Sequence, residues 1–344
     1  MTGAISSAPR GNHDDHRYPD SVRGAAEAAP GMPDAFGAVL SAMPAGADAL
    51  SRLRVALIGY GEVGRILGRA LRVHGLASLS TFDRLFDDPT RREATLQHAR
   101  DDGVLPAATA LMAVAGADLV ICAVTADQTS AAAKSVVAGL SPGAFYVDVN
   151  SSSPQTKCDC AALIEAAGGR YVEMAVMTSV PPYGIRVPML SGGPHAAAAA
   201  PLLAALGFRV EPASDRLGVA SAIKMCRSVI VKGMEAIVIE SFLSARRYGV
   251  EKQVLASLAE TFPGLDWEKS GDYFFQRVIA HGRRRAEEMR EAAATVREAG
   301  LEPLMTSAIA DRQAWVAALA ADDVFAGAPR DAAWRELADR IARS

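Results

Sequence analysis

Residues 54–73, RVALIGYGEVGRILGRALRV, join a short apolar run to a helical run through a turn with glycines at 59, 61 and 64. This stretch constrains the fold more than any other. Gly59 permits the tight turn, Gly61 lets the backbone approach a pyrophosphate, and Gly64 lets the helix pack closely on the strand. The first N–H groups of the helix have no partner within it and are free to bind an anion. Gly59, Tyr60, Gly61, Glu62, Val63 and Gly64 are therefore candidate cofactor contacts. Asp83 closes the next apolar run, LASLSTFD, where a carboxylate can hold a ribose 2′-hydroxyl. A carboxylate there repels a 2′-phosphate, which favours NAD. Arg84 follows at once, with Arg91 and Arg92 near, which keeps NADP open. A glycine turn needed only for packing is the alternative.

Further along, ADLVICAV, AFYVDVN, RYVEMAVM, VPMLSGG and FRVEPA read as strands, separated for the most part by Ala-rich segments of helical length. Strands alternating with helices predict an α/β fold with a doubly wound, Rossmann-type parallel sheet. Strand signals end near Ser214, and helical patterns run from there to the C-terminus, which predicts an all-helical second domain. The expected organisation is a poorly ordered extension over residues 1–52, a dinucleotide-binding domain over 53–213, and a helical substrate or dimerisation domain over 214–344. A weak helix is expected within residues 36–43.

With 344 residues and a formal charge of −3, the chain gives no reason to expect nucleic acid or an acidic membrane as partner. The cluster Arg283-Arg284-Arg285 is followed by Glu287, Glu288 and Glu291, which at helical spacing reads as a solvated face of alternating charge. Cys122, Cys158, Cys160 and Cys226 make neither a disulfide framework nor a zinc pattern, so no metal is expected. No apolar run spans a bilayer, and residues 1–50 carry no secretory signal pattern. A cytoplasmic protein with a small-molecule substrate is the expectation.

The segment GVASAIKMCRSVIVKG, residues 218–233, is strongly apolar yet contains Lys224, Arg227 and Ser228. As a helix it sets these three on one face. Lys224 is either the partner of a carboxylate between domains or a group lining a cavity at the mouth of the cofactor site, and periodicity does not choose. Exchange of a hydride between an alcohol carbon and nicotinamide needs a group that takes or gives the hydroxyl proton. An ordinary lysine, with a pKa near ~10.4, is a poor base at neutral pH. Burial beside Arg227 would bring it into range, and Arg227 would also suit an anionic substrate group.

GYGEVG, DVNSSSP and GVASAIKMCRS, in this order and followed by a helical segment, resemble the phosphogluconate dehydrogenase and β-hydroxyacid dehydrogenase superfamily. The resemblance implies that Lys224 is the general acid/base and that the helical domain builds a homodimer. It also implies that DVNSSSP is a substrate loop, making Asn150, Ser151 and Ser152 substrate contacts, with Ser153 as a helix cap. Val124 and Thr125 match the loop over the nicotinamide.

The chain departs from the family pattern at two places. Thr178 and Ser179 stand where relatives carry a glycine pair, and Arg227 and Ser228 where they carry paired asparagines. Thr178, Arg227, Ser228 and His281 are thus substrate-binding candidates in a divergent branch with its own C-terminal helical domain, and Arg284 is close enough in sequence to join His281. The leading expectation is an NAD(P)-dependent enzyme acting on CH–OH. An imine reductase and a non-catalytic cofactor-binding regulator are the competing readings.

Overall fold

The computed structural model describes residues 47–344, so the helix expected within residues 36–43 and most of the expected N-terminal extension lie outside the described residues. The strands are β1 (Arg54–Ile58), β2 (Ser78–Phe82), β3 (Leu105–Pro106), β4 (Leu119–Cys122), β5 (Phe145–Asp148), β6 (Arg170–Val176), β7 (Met189–Gly192) and β8 (Val210–Ser214). They form one sheet in the order β3-β2-β1-β4-β5-β6-β7-β8. Every residue of β4 and β5 is buried, as central strands covered on both faces require. The covering helices are α1 (Glu62–Arg72), α2 (Arg92–Asp101), α3 (Ala110–Val114), α4 (Thr129–Val136), α5 (Pro154–Ala166) and α6 (Ala196–Ala205).

The chain winds outward from β1 to β3 and then crosses back to β4. This reversal opens a crevice beyond the C-terminal ends of β1 and β4, the place where such sheets bind ligands. The glycine loop leaves β1 there, Val124 and Thr125 leave β4, and Asn150 to Ser152 leave β5.

The sheet is mostly parallel rather than wholly so. β7 runs antiparallel to β6, with Glu173 opposite Gly192. A parallel return needs a crossover, usually helical. Residues 177–188 hold only the one-turn helix Gly184–Arg186, so the chain folds back as a hairpin. β3 is two residues long and lacks an apolar run, which is why no strand is expected there from sequence.

The C-terminal portion contains α7 (Val219–Tyr248), α8 (Glu251–Thr261), α9 (Trp267–Glu298), α10 (Leu304–Ala321) and α11 (Trp334–Arg343). Together with the sheet it belongs to one compact unit. Gly249, at φ +67°, ends α7 in the left-handed conformation that glycine adopts without strain. Phe242, Phe275 and Trp334 join α7, α9 and α11 in one apolar cluster.

The basic cluster on α9 is not a wholly solvated face. Arg283 pairs with Glu287 and Arg284 with Glu288, as i,i+4 spacing predicts. Arg285, however, is buried against the buried carboxylate of Glu235 on α7, which also accepts a 3.2 Å hydrogen bond from Gln313. Three consecutive helical residues point in directions about 100° apart, so they cannot all share one face. No described helix is long and apolar enough to cross a membrane. All four cysteines are free, and among the described residues no group of three or more His, Cys, Asp or Glu is gathered for a metal ion.

Candidate active site

Around the glycine loop the backbone runs too close to its neighbours for side chains, except where it faces the crevice. Gly59 sits at φ +92°, and a Cβ there would strike the Ala123 carbonyl and lie 2.8 Å from Val124 Cγ1. A Cβ on Gly64 would strike the Gly59 carbonyl, so this glycine lets α1 close on β1. Gly61 instead faces open space with nothing within 4 Å. It precedes α1 as an N-cap with no side-chain cap. Uncapped N–H groups beside a bare backbone fit a dinucleotide pyrophosphate.

Asp83 accepts from Tyr60 N at 2.6 Å and from Leu85 N at 2.8 Å, so its carboxylate is fixed at the end of β2 with further lone pairs to offer. The Tyr60 ring turns away from the crevice. It is buried, its hydroxyl donates to Asp102 at 3.1 Å, and burial followed by the Asp102 charge raises its pKa. Tyr60 thus offers the crevice backbone only. Glu62 and Arg84 are exposed, and Val63 is partly buried.

The loops after β4 and β5 are tied to each other. Asn150 is buried. Its Oδ1 accepts from Val124 N at 2.7 Å, and its Nδ2 donates to Cys122 Sγ at 3.3 Å. Beneath it, Asp148 takes a 2.8 Å ion pair from buried Lys157 and a 2.6 Å hydrogen bond from Tyr171. Ser152 is buried against the Thr129 hydroxyl at 2.6 Å. Ser153 caps α5, accepting from Thr156 N. Asn150 and Ser152 therefore shape the loop, and Ser151 between them offers its hydroxyl outward. The Thr125 hydroxyl donates to Asp127 at 2.5 Å.

Lys224 Nζ donates to that Ser151 oxygen at 2.5 Å. Burial lowers the Lys224 pKa to about 7, a change that Glu288 opposes and that Lys232, Lys157 and Arg284 reinforce. Ser228, one turn further along α7, is buried. Arg227 and Thr178 are exposed, and among the described residues no hydrogen bond or ion pair joins either to Lys224 or Ser151.

α9 lies across the opening. Arg277 reaches the β6–β7 hairpin, donating to Ser179 at 2.8 Å. His281 is exposed, and burial of its surroundings with the charges of Arg284 and Arg277 lowers its pKa, while Glu62 of the glycine loop opposes this. Glu288 takes Lys232 at 2.6 Å and Arg284 at 2.5 Å. Burial alone would raise Glu288, but Lys232, Arg284 and Lys224 outweigh it and hold the carboxylate at about 2.

Sequence reasoning did not place Lys232, Arg277 and Glu288 at this opening. Lys232 inside an otherwise apolar helical run is the available signal; Arg277 and Glu288 lie in a polar helix where charge is ordinary, and the partners stand on different elements.

Residues 54–211 match the NAD binding domain of 6-phosphogluconate dehydrogenase, and residues 245–316 match a domain of unknown function, DUF1932. The chain is 38% identical to a conserved hypothetical protein from Sinorhizobium meliloti, with a TM-score of 0.67, covering 85% of this chain and 96% of that one. It is 31% identical to a conserved protein of unknown function described as structurally similar to 3-hydroxyacid dehydrogenases, with a TM-score of 0.59, covering 78% of this chain and 99% of that one. A Mycobacterium tuberculosis 3-hydroxyisobutyrate dehydrogenase shares the fold, with a TM-score of 0.61 at 18% identity, covering 84% of this chain and 99% of that one.

The open face of Gly61 makes it a selective probe. Gly61→Val is expected to fold normally yet weaken NAD(P)H binding at least about tenfold by fluorescence titration, since a side chain there stands where the pyrophosphate must approach. Gly64→Val is expected to lower stability instead. Unimpaired binding by Gly61→Val would contradict the assignment of this face.

Proposed function

Because the chain belongs to the 6-phosphogluconate dehydrogenase and 3-hydroxyacid dehydrogenase superfamily, in the branch with this C-terminal helical domain, we propose that it is an NAD(P)-dependent oxidoreductase acting on the alcohol or carbonyl carbon of a small anionic, hydroxy-acid-like substrate. The observation that carries the reading is the contact between Lys224 and Ser151 beside the dinucleotide loop, with Lys224 poised near neutrality. Asp83 supports NAD as the cofactor, and exposed Arg84 supports NADP as the second choice.

Bound NAD(P) supplies or accepts the hydride. Lys224 handles the proton. As the neutral amine it takes the proton from a substrate hydroxyl, and as ammonium it returns one to a carbonyl oxygen. Ser151 holds Nζ and orients the same substrate oxygen. His281 and Arg284 present positive or polarisable groups for a substrate anion. Asn150 and Ser152 act by holding the loops, and exposed Arg227 and Thr178 receive no role.

The sheet portion would serve as the dinucleotide-binding domain and α7 to α11 as the substrate and dimerisation domain of a cytoplasmic homodimer. Support for the dimer comes from α7, where Ile223, Ile230, Val231 and Ile237 are exposed along one helix. Sedimentation at micromolar concentration should give twice the chain mass, and a single-chain mass rejects the dimer.

The chemistry is tested by following nicotinamide absorbance with hydroxy acids, the corresponding carbonyls and cyclic imines, using both cofactors. Lys224→Ala should abolish turnover of the substrate found while leaving cofactor binding intact. In wild type, oxidation needs the amine, so its kcat/KM should rise with pH through about 7 to a plateau. Reduction needs the ammonium, so its kcat/KM should fall through the same range. Turnover of imines alone moves the reading to C=N chemistry, and tight cofactor binding without any turnover moves it to a regulator.

A further inference from the structure

Two carboxylates, Glu173 buried and Glu291 partly buried, cross the junction between sheet and helices in opposite directions, and each ends on a backbone N–H a few residues from one partner of the Lys224–Ser151 contact. Glu173 lies in β6 and is fully buried. It accepts from Gly218 N at 2.7 Å and Ser221 N at 2.5 Å, and also takes the Ser221 hydroxyl. These are the first donors of α7, three to six residues before Lys224. Among the described residues no cation is within ion-pair distance of Glu173, so its charge rests on the α7 N-terminus, a favourable end for an anion. Gly192 on the neighbouring strand leaves the room, since a Cβ there would lie 2.7 Å from Glu173 Oε2.

From the other side, Glu291 of α9 accepts from Ser153 N at 2.8 Å, two residues after Ser151. Glu298, two turns further along α9, accepts from Gln155 N at 3.1 Å. Helical carboxylates thus cap α5 of the sheet portion, while a strand carboxylate caps α7 of the helical portion.

We propose that Glu173 and Glu291 are positioning residues that hold Lys224 and Ser151 in contact across the junction. The role rests on the reading of Lys224 as the proton-transfer group. Glu173 fixes where α7 starts, and hence how far Lys224 reaches. Glu291 fixes the backbone that presents Ser151. Misplacement of a reacting group by about 1 Å costs on the order of 100-fold in rate, so caps outside the reacting atoms have leverage on turnover.

The test uses the full chain carrying Glu291→Ala, Glu291→Gln or Glu173→Gln. Glu291→Gln keeps an oxygen acceptor for Ser153 N. Two readouts are needed. One is kcat and cofactor KM with the substrate found by the panel. The other needs no substrate: competitive labelling with acetic anhydride, read by mass spectrometry, gives the pH at which the Lys224 amine titrates. The groups that act on that amine are Ser151, Lys157 of α5, Lys232 of α7, and Arg284 and Glu288 of α9, and none of them is changed.

Glu291→Ala should lower kcat about 10- to 100-fold with cofactor KM within about twofold, and Glu291→Gln should restore most of it. Labelling of Lys224 should move up from about 7 by about one pH unit or more in Glu291→Ala as water reaches the loosened amine. Glu173→Gln, which removes the charge at the α7 N-terminus, should shift both readouts the same way, and it carries the test if Glu291→Ala does not fold. Folded variants with wild-type kcat and an unshifted Lys224 overturn the proposal. If no substrate is found, the labelling arm decides alone: a shift in the variants upholds the positioning role, and its absence overturns it.

Discussion

An ammonium group leaves water only at a cost, and at this junction the protein bears that cost at Lys224 instead of cancelling it with a dedicated carboxylate. The nearest polar contact of Nζ is the neutral hydroxyl of Ser151. Glu288, the acid that could have neutralised it, is already held by Lys232 and Arg284. That division of partners leaves Lys224 with a proton affinity near neutrality and leaves Lys232 a structural ion. A helical core with Phe242, Phe275 and Trp334 at its centre anchors α7 beyond the site.

The rest of the architecture converges on the same point. The reversal of winding between β1 and β4 creates the crevice, and the glycines of the first loop strip side chains from one of its walls. Asn150 ties the second wall to the third, from Val124 to Ser151. α9 closes the opening with Arg277 on the hairpin and Glu291 on the serine loop. Charges that a surface reading would scatter into solvent are instead spent at contacts between helix termini and distant carboxylates, where N–H groups without helical partners await acceptors.

Legibility in the sequence follows the range of the interaction. The glycine turn, the buried central strands and the Ser153 cap are local patterns and can be read along the chain; of the expected α7 face of Lys224, Arg227 and Ser228, Arg227 is exposed. Three features are not local. The antiparallel β6–β7 return depends on a loop that lacks a crossover helix. The inward turn of Arg285 depends on Glu235, fifty residues earlier by its own contact separation. Glu173 reads simply as an acid in an apolar strand, and only the fold reveals α7 above it. Resemblance implies substrate contacts for Asn150 and Ser152, and what only the fold adds is that their side chains join loops, to Val124 N and to the Thr129 hydroxyl. Family resemblance reaches the reaction class, but at Thr178, Ser179, Arg227 and Ser228 the chain departs from its relatives, and there it stops short of the substrate.

The central claim is that a desolvated amine, held on Ser151, exchanges protons near neutral pH. Its most direct test is a ¹⁵N NMR titration of the Lys224 Nζ in the wild-type protein without substrate, assigned by its loss in Lys224→Arg. A midpoint near 7 is predicted, well apart from the surface lysines. A midpoint near ~10.4, the ordinary lysine value, would contradict the account at its base.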